Sequence, residues 1–307
     1  MIGIEDIAIY LPENSISNYD QKERFEINDH FIEKKLGIRK MLVKDLIDDT
    51  SDLCVKAYNN LIDKENNANI RGIEVLVVVT QNPDMNLPHT SAIVHGKLGL
   101  SENCACFDVS LGCSGYVYGL SIIESFMKEN NFTNGLLFTA DPYSKIINRK
   151  DKNTSLLFGD AATVTLVSNK PIYQSNGFTF GTVGKRCQEL KCEKGELFMN
   201  GRAIADFVME YIPKDIEALL KKNNHKIDDI DKYVFHQGSK YIVDSIARML
   251  NLPSQKVVFD AGEYGNTISS SIPIILSKEM GNMSSKTILI CGFGVGLSWA
   301  SSILKRV

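Results

Sequence analysis

Two distant stretches of this chain repeat one another. "KLGLSENCACFD" (Lys97 to Asp108) aligns with "MLNLPSQKVVFD" (Met249 to Asp260), with both leucines, the phenylalanine and the aspartate in register. At the same offset, Leu137 of "GLLFTA" falls on Leu289 of "TILICG". Upstream, "VVVTQNP" resembles "YVFHQGS", which sets Gln81 opposite Gln237 after a few residues of slippage. The period is far too long for a solenoid repeat. It indicates two homologous halves, residues 1–170 and 171–307, joined near the polar, proline-containing "SNKPIYQSNG".

Each half must then be a self-similar set of strands and helices. Strand-like runs punctuate the whole chain: "IEVLVVVT", "CACFDV", "GLLFTA" and "AATVTLV", then "KYVFH", "KVVFDA" and "KTILICGFG". Interleaved with helical patterns, they predict an α/β fold with largely parallel sheets. "VLVVV" is apolar at consecutive positions, as expected of a strand covered on both faces. At 307 residues and 44% hydrophobic, the chain can bury a core of that size.

Charge and targeting signals narrow the function classes. The 34 basic and 37 acidic residues nearly balance, which leaves no electrostatic footprint for nucleic acid. The N-terminus has no basic region followed by an apolar stretch and a cleavage site, and no run of about 18 apolar residues predicts a membrane span. A cytoplasmic protein is expected. Seven cysteines, an odd and scattered number, fit reduced thiols. Cys104 and Cys106 form C-x-C, and Cys187 and Cys192 form C-x4-C. Neither pair has the spacing or neighbouring histidines of a zinc site, so no metal centre is expected. His30, His89, His95 and His225 are assigned structural or solvent roles.

The duplication draws attention to two corners. After the first "FD" the chain reads "VSLGCSGYVYGL", placing Cys113 between a strand and a helix-like run. After the second it reads "AGEYGNTISSS", with Asn266 in nearly the same place. A pseudo-twofold axis between the halves would make these corners face each other. His236 ends the strand-like "KYVFH", on the side where open α/β sheets put their ligands. A cysteine at a helix start gains from the dipole and free N–H groups, which favour the thiolate. Taken singly, each feature has an ordinary explanation: a core cysteine, a hydrogen-bonded histidine, a Gly-Asn turn, a "GFGVG" hairpin. "GDAATV" reads as structural, letting a strand pass close to the corner.

"SLGCSGYVYGL", "FHQGSKYI", "EYGNTISSSIP" and "GFGVGLSWA", with "LGIRK" and "LLFGDAATVTLV", resemble the signatures of the β-ketoacyl-acyl carrier protein synthase III family. The resemblance spans nearly the whole chain. It implies a thiolase fold, five αβαβα layers from two duplicated halves, working as a homodimer with a tunnel for a phosphopantetheine arm. It further implies Cys113 as nucleophile, His236 and Asn266 as its partners, and the backbone N–H groups of Cys113 and Val295 as oxyanion hole. Acyl thioesters and acyl carrier protein would be substrates and partners, with no metal or redox cofactor.

Several positions depart from the family pattern. A tryptophan and two arginines that usually grip coenzyme A are here Phe31, Lys35 and Lys152. Ser239 stands where an amide usually meets the pantetheine arm, and Leu87 where a phenylalanine from the partner subunit often limits the acyl pocket. Lysine lacks the planar fork of arginine, so a weaker grip on coenzyme A and a carrier-borne donor are expected. Two other readings remain: acyl transfer from Cys113 to an alcohol or amine, and a silent acyl-carrier-binding homologue.

Overall fold

The computed structural model describes residues 1–64 and 72–307. The first half runs β1 (Gly3–Tyr10), β2 (Asn14–Ser17), α1 (Lys22–Phe25), a π-helical turn over Phe31–Leu36, β3 (Lys40–Val43) and α2 (Thr50–Ile62). It continues with β4 (Val75–Val79), α3 (Thr90–Leu98), β5 (Ala105–Val109), α4 (Gly115–Glu129), β6 (Asn134–Ala140), α5 (Lys152–Ser155) and β7 (Ala162–Ser168). The second half runs β8 (Tyr173–Thr182), β9 (Leu190–Glu193), β10 (Glu196–Met199), α6 (Gly201–Lys222) and β11 (Lys232–Phe235). It ends with α7 (Lys240–Met249), α8 (Ser271–Glu279), β12 (Thr287–Gly294) and β13 (Ser298–Arg306).

Nine strands join in the order β11-β12-β13-β8-β1-β7-β6-β4-β5. Read from either edge toward the β8–β1 junction, the same pattern appears twice. β4, β6, β7 and β1 match β11, β12, β13 and β8. The counterpart of β5 is reduced to a single bridge between Tyr233 and Val257. "KVVFDA", expected as a strand, is therefore not one. A 3₁₀ turn occupies Ser254–Lys256, and the Gln237 amide takes the Val258 carbonyl and the Asp260 N–H that a ladder would use.

The sheet is also less parallel than expected. β4 pairs in parallel with β5 and β6, and β11 with β12. The pairs β6–β7, β7–β1, β1–β8, β8–β13 and β13–β12 are antiparallel. Only three residues, Val295 to Leu297, connect β12 to β13, and so short a connection joins antiparallel neighbours only.

Alternating strand residues feed different layers. Val75, Val77 and Val79 face a central core shared with Tyr116, Val117 and Leu120 of α4, Ile272 and Ile275 of α8, and Ile288 and Ile290 of β12. Leu76 and Val78 point outward to Leu53, Cys54 and Ala57 of α2 and Val94 of α3. On the other outer face, Phe207, Val208 and Ile212 of α6 and Val243 of α7 cover Tyr233, Phe235, Leu289 and Cys291. Five layers result: helix, sheet, helix, sheet, helix. Each fully buried aliphatic contributes ~1.5–3 kcal/mol, so α4 and α8 are held by far more apolar packing than any polar group near them can oppose. α4 lies directly on β4, since a Cβ at Gly115 would come within 2.4 Å of a Val79 methyl.

Candidate active site

The central layer carries both corners. Cys113 sits immediately before Ser114, the N-cap of α4, and Asn266 lies in the turn leading to α8. His236 follows the last residue of β11, with its N–H still in the ladder to the Cys291 carbonyl (2.8 Å). All three line one cavity of about 340 Å³. They are nearly buried: 5%, 3% and 2% exposed for Cys113, His236 and Asn266.

Close backbone passages fix these positions. β12 runs against the cysteine, and a Cβ on Gly292 would meet the Cys113 carbonyl at 2.5 Å. A Cβ on Gly294 would meet the Cys113 Cβ and Sγ at 2.8 Å. "GFGVG" is thus a strand and hairpin, as its ordinary explanation held, and also one wall of the site. "GDAATV" acts as expected: Asn266 N–H donates to the Leu157 carbonyl (2.9 Å) and Gly159 N–H to the Asn266 carbonyl (3.0 Å). At Gly159 any Cβ would lie 1.9 Å from the Tyr264 carbonyl oxygen.

Ile268 is the residue the sequence reading missed. Its φ of 52° is rare for a β-branched side chain and costs ~1–3 kcal/mol. In that conformation its N–H donates to Asn266 Oδ1 (3.0 Å), which leaves the amide NH2 of Asn266 free to donate. The Ser271 hydroxyl stands 3.0 Å from the Ile268 carbonyl and 2.8 Å from His236 Nδ1, and its one proton serves one of these two acceptors at a time. One strained residue therefore orients both polar partners. No local pattern in "NTISSS" signals it.

Electrostatics differ from the sequence expectation at Cys113. Burial, then the charge of Asp141, pushes the thiol well above its ordinary range. The backbone N–H groups of Cys113 and Val295 face the sulfur and oppose that rise. The helix start alone does not make a resting thiolate; desolvation outweighs it. His236 is pushed down to about 3 by burial, with the Ile268 carbonyl opposing, so its imidazole is neutral. Phe293 packs edge-on to the ring at 5.5 Å. Asp141, itself raised to about 6 by burial, is held by the Gln81 N–H (2.7 Å) and the Ser269 hydroxyl (2.6 Å).

Of the residues expected at the entrance, Phe31, Lys152 and Ser239 line the cavity, and Lys35 and Leu87 do not. Lys152 Nζ donates to the Phe25 carbonyl (2.7 Å) and stands 5.6 Å over the Phe31 ring. Lys35 Nζ lies 5.0 Å over the Tyr241 ring. Ser239 caps α7, accepting from the Ile242 N–H. Leu87 is 85% exposed on the loop before α3.

A cysteine at the head of a central helix, inside a duplicated five-layer fold, places the chain among thiolase-fold condensing enzymes, which are acyltransferases. Residues 107–184 match the family described as 3-oxoacyl-[acyl-carrier-protein (ACP)] synthase III, and residues 220–306 its C-terminal part. The β-ketoacyl-[acyl-carrier-protein] synthase III of Lactococcus lactis is 32% identical, over 98% of each chain. That of Caldanaerobacter subterraneus is 32% identical, over 99% of this chain and 97% of its own. The crystal structure of the Thermus thermophilus enzyme superposes with a TM-score of 0.91 at 28% identity, covering 99% of both chains. The chain belongs to the β-ketoacyl-acyl carrier protein synthase III family.

Proposed function

We propose that this enzyme performs a decarboxylative Claisen condensation of an acyl thioester with malonyl-acyl carrier protein, using Cys113 as nucleophile and His236 and Asn266 as carbonyl donors. The observation that carries the reading is a sulfur facing the Val295 N–H in one cavity with that imidazole and that carboxamide. In the first half-reaction, the sulfur attacks the acyl carbonyl. The tetrahedral oxyanion is held by the N–H groups of Cys113 and Val295, each donor worth ~2.7–4 kcal/mol. The carrier thiolate leaves and takes up the cysteine proton, and the acyl group stays on Cys113.

In the second half-reaction, malonyl thioester loses carbon dioxide. The electron pair of the breaking C–C bond flows onto the thioester oxygen, where Asn266 Nδ2–H and His236 Nε2–H donate. A neutral histidine donates from Nε2 only when Nδ1 is unprotonated, and Ser271 Oγ, 2.8 Å from Nδ1, supports that tautomer when its one proton turns from the Ile268 carbonyl to the ring. The enolate carbon then attacks the acyl-cysteine, and the sulfur is expelled and reprotonated. No redox or metal step enters this sequence. The test is carbon dioxide release from carboxyl-labelled malonyl-carrier protein. Asn266→Ala and His236→Ala should acylate at Cys113 yet release carbon dioxide ~10²-fold more slowly; release at the wild-type rate sinks their assignment.

Lys152 at the entrance and Lys35 outside the cavity lining support a carrier-borne acyl donor. Lys152 covers one face of Phe31 and Lys35 is engaged by Tyr241, so neither offers adenine a free stacking plane or phosphates a bidentate fork. Acyl-carrier protein should prime the enzyme with a lower KM than acyl-coenzyme A, and micromolar KM with full turnover on the latter overturns this. Leu87 and its loop, exposed in the single chain, fit a homodimer in which each copy borders the other's acyl pocket. A cytosolic location suits a nucleophile that must stay a free thiol, and the chain divides most naturally at 170/171, between β7 and β8.

A further inference from the structure

Cys104 and Cys106 lie two positions apart at the start of β5, so their side chains leave the same face of the strand. That face packs with Leu98 and Leu100 under α3, whereas Ala105, Phe107 and Val109 point to the central layer. His95 sits in the last turn of α3, above the two thiols. Sequence spacing gave no reason to group these three, but the packing of α3 on β5 brings their donor atoms within 4.8 Å of one another.

The imidazole is already oriented for coordination. His95 Nε2 stands 2.9 Å from the Ser101 carbonyl. A carbonyl can only accept, so Nε2 carries the proton and Nδ1 keeps its lone pair. This is the support that metal-ligating histidines receive, their second nitrogen donating to a backbone carbonyl. The sulfurs face each other, and their backbone contacts are long, Cys104 Sγ to the Ala105 carbonyl at 3.7 Å and Cys106 Sγ to the Cys104 carbonyl at 3.6 Å. Neither contact competes with a metal–thiolate bond.

We propose that His95, Cys104 and Cys106 bind one Zn²⁺ through two thiolates and one imidazole, with a fourth, tetrahedral position open to water. Zn–S bonds of ~2.3 Å and a Zn–N bond of ~2.0–2.1 Å put tetrahedral donors roughly 3.3–3.8 Å apart. The three donor atoms already lie within 4.8 Å of one another, so reaching those spacings is a closure of about 1 Å. His95 and Cys106 are partly exposed, which leaves an entry path and room for the water, and Cys104 is the most enclosed of the three. Binding releases the two thiol protons and changes no oxidation state. The site is separate from Cys113, which lies past the opposite end of β5. Its effect is to clamp α3 onto β5, the last strand of the sheet, which pairs with β4 alone among the described strands.

The test uses the reduced full-length protein and Co²⁺ as spectroscopic probe, with Zn²⁺ as competitor. Wild type should take one Co²⁺ per chain with thiolate charge-transfer and tetrahedral d–d bands, all displaced by Zn²⁺. Cys113→Ala and the double variant Cys187→Ser, Cys192→Ser should keep that stoichiometry. Cys104→Ser should lose it, and His95→Gln should weaken it ~10-fold or more. A measurement on wild type alone guards against misfolded variants: Zn²⁺ should shield Cys104 and Cys106 from N-ethylmaleimide, read by peptide mass mapping. Absent binding, binding retained in Cys104→Ser or lost in Cys113→Ala, or equal alkylation with and without Zn²⁺ overturns the site. Capture of Cu⁺ without Zn²⁺ overturns the choice of metal.

Discussion

Gly294 leaves no space beside Cys113, and its replacement isolates what position alone contributes to the proposed chemistry. In Gly294→Ala the new methyl would stand 2.8 Å from both Cβ and Sγ of Cys113, so the sulfur must move away from the Val295 N–H. Misplacement by about 1 Å costs ~10²-fold in rate. Acyl-enzyme formation should fall by about that factor, followed by stopped mass spectrometry, while circular dichroism stays that of the wild type. An unchanged rate would show that the close passage of β12 is incidental. This contact joins segments remote in the chain, and it was not legible from "GFGVG", which reads as an ordinary hairpin. That Cys113, His236 and Asn266 share one cavity was legible, because the duplication marks the corners of Cys113 and Asn266 and the family signatures mark all three. Ile268 was not, because a β-branched residue gives no sign of a positive φ.

At the scale of elements, α4 is tied to β8 by a group with its own pH dependence. Glu124 is raised to about 7 by burial, and Ser175 donates to it at 2.7 Å. Its folded value exceeds its unfolded one. The folded protein therefore holds the proton more tightly, and this contribution to stability is full below about pH 4.5 and lost as pH rises through 7. Glu124→Gln removes that titration. The Tm difference between variant and wild type should grow in the variant's favour from pH 5 to pH 8, measured by calorimetry, and a difference independent of pH contradicts the assignment. Strand positions were largely readable from apolar runs such as "VLVVV" and "TILICG". Strand direction was not, because the hairpin legible in "GFGVG" fixes only the β12–β13 pair, whereas the other antiparallel pairs join strands that no short turn connects. "KVVFDA" misled for another reason: the side chain of Gln237 takes the backbone groups a strand would need.

For the whole molecule, the duplication explains why one cavity collects residues from both halves. The two central helices begin at equivalent corners, one bearing Cys113 and the other preceded by Asn266, and the shared core holds them in place. Light scattering should give twice the chain mass at assay concentration, and a fully active monomer would remove Leu87 from any shared pocket. The central claim is that Cys113 carries the acyl group. Intact-mass analysis after mixing with acyl-carrier protein, followed by peptide mapping, tests it most directly. Wild type should gain one acyl mass on the peptide containing Cys113, lose it on adding malonyl-carrier protein, and Cys113→Ala should gain none. An adduct on another residue, or none on a folded wild type, would contradict the mechanism.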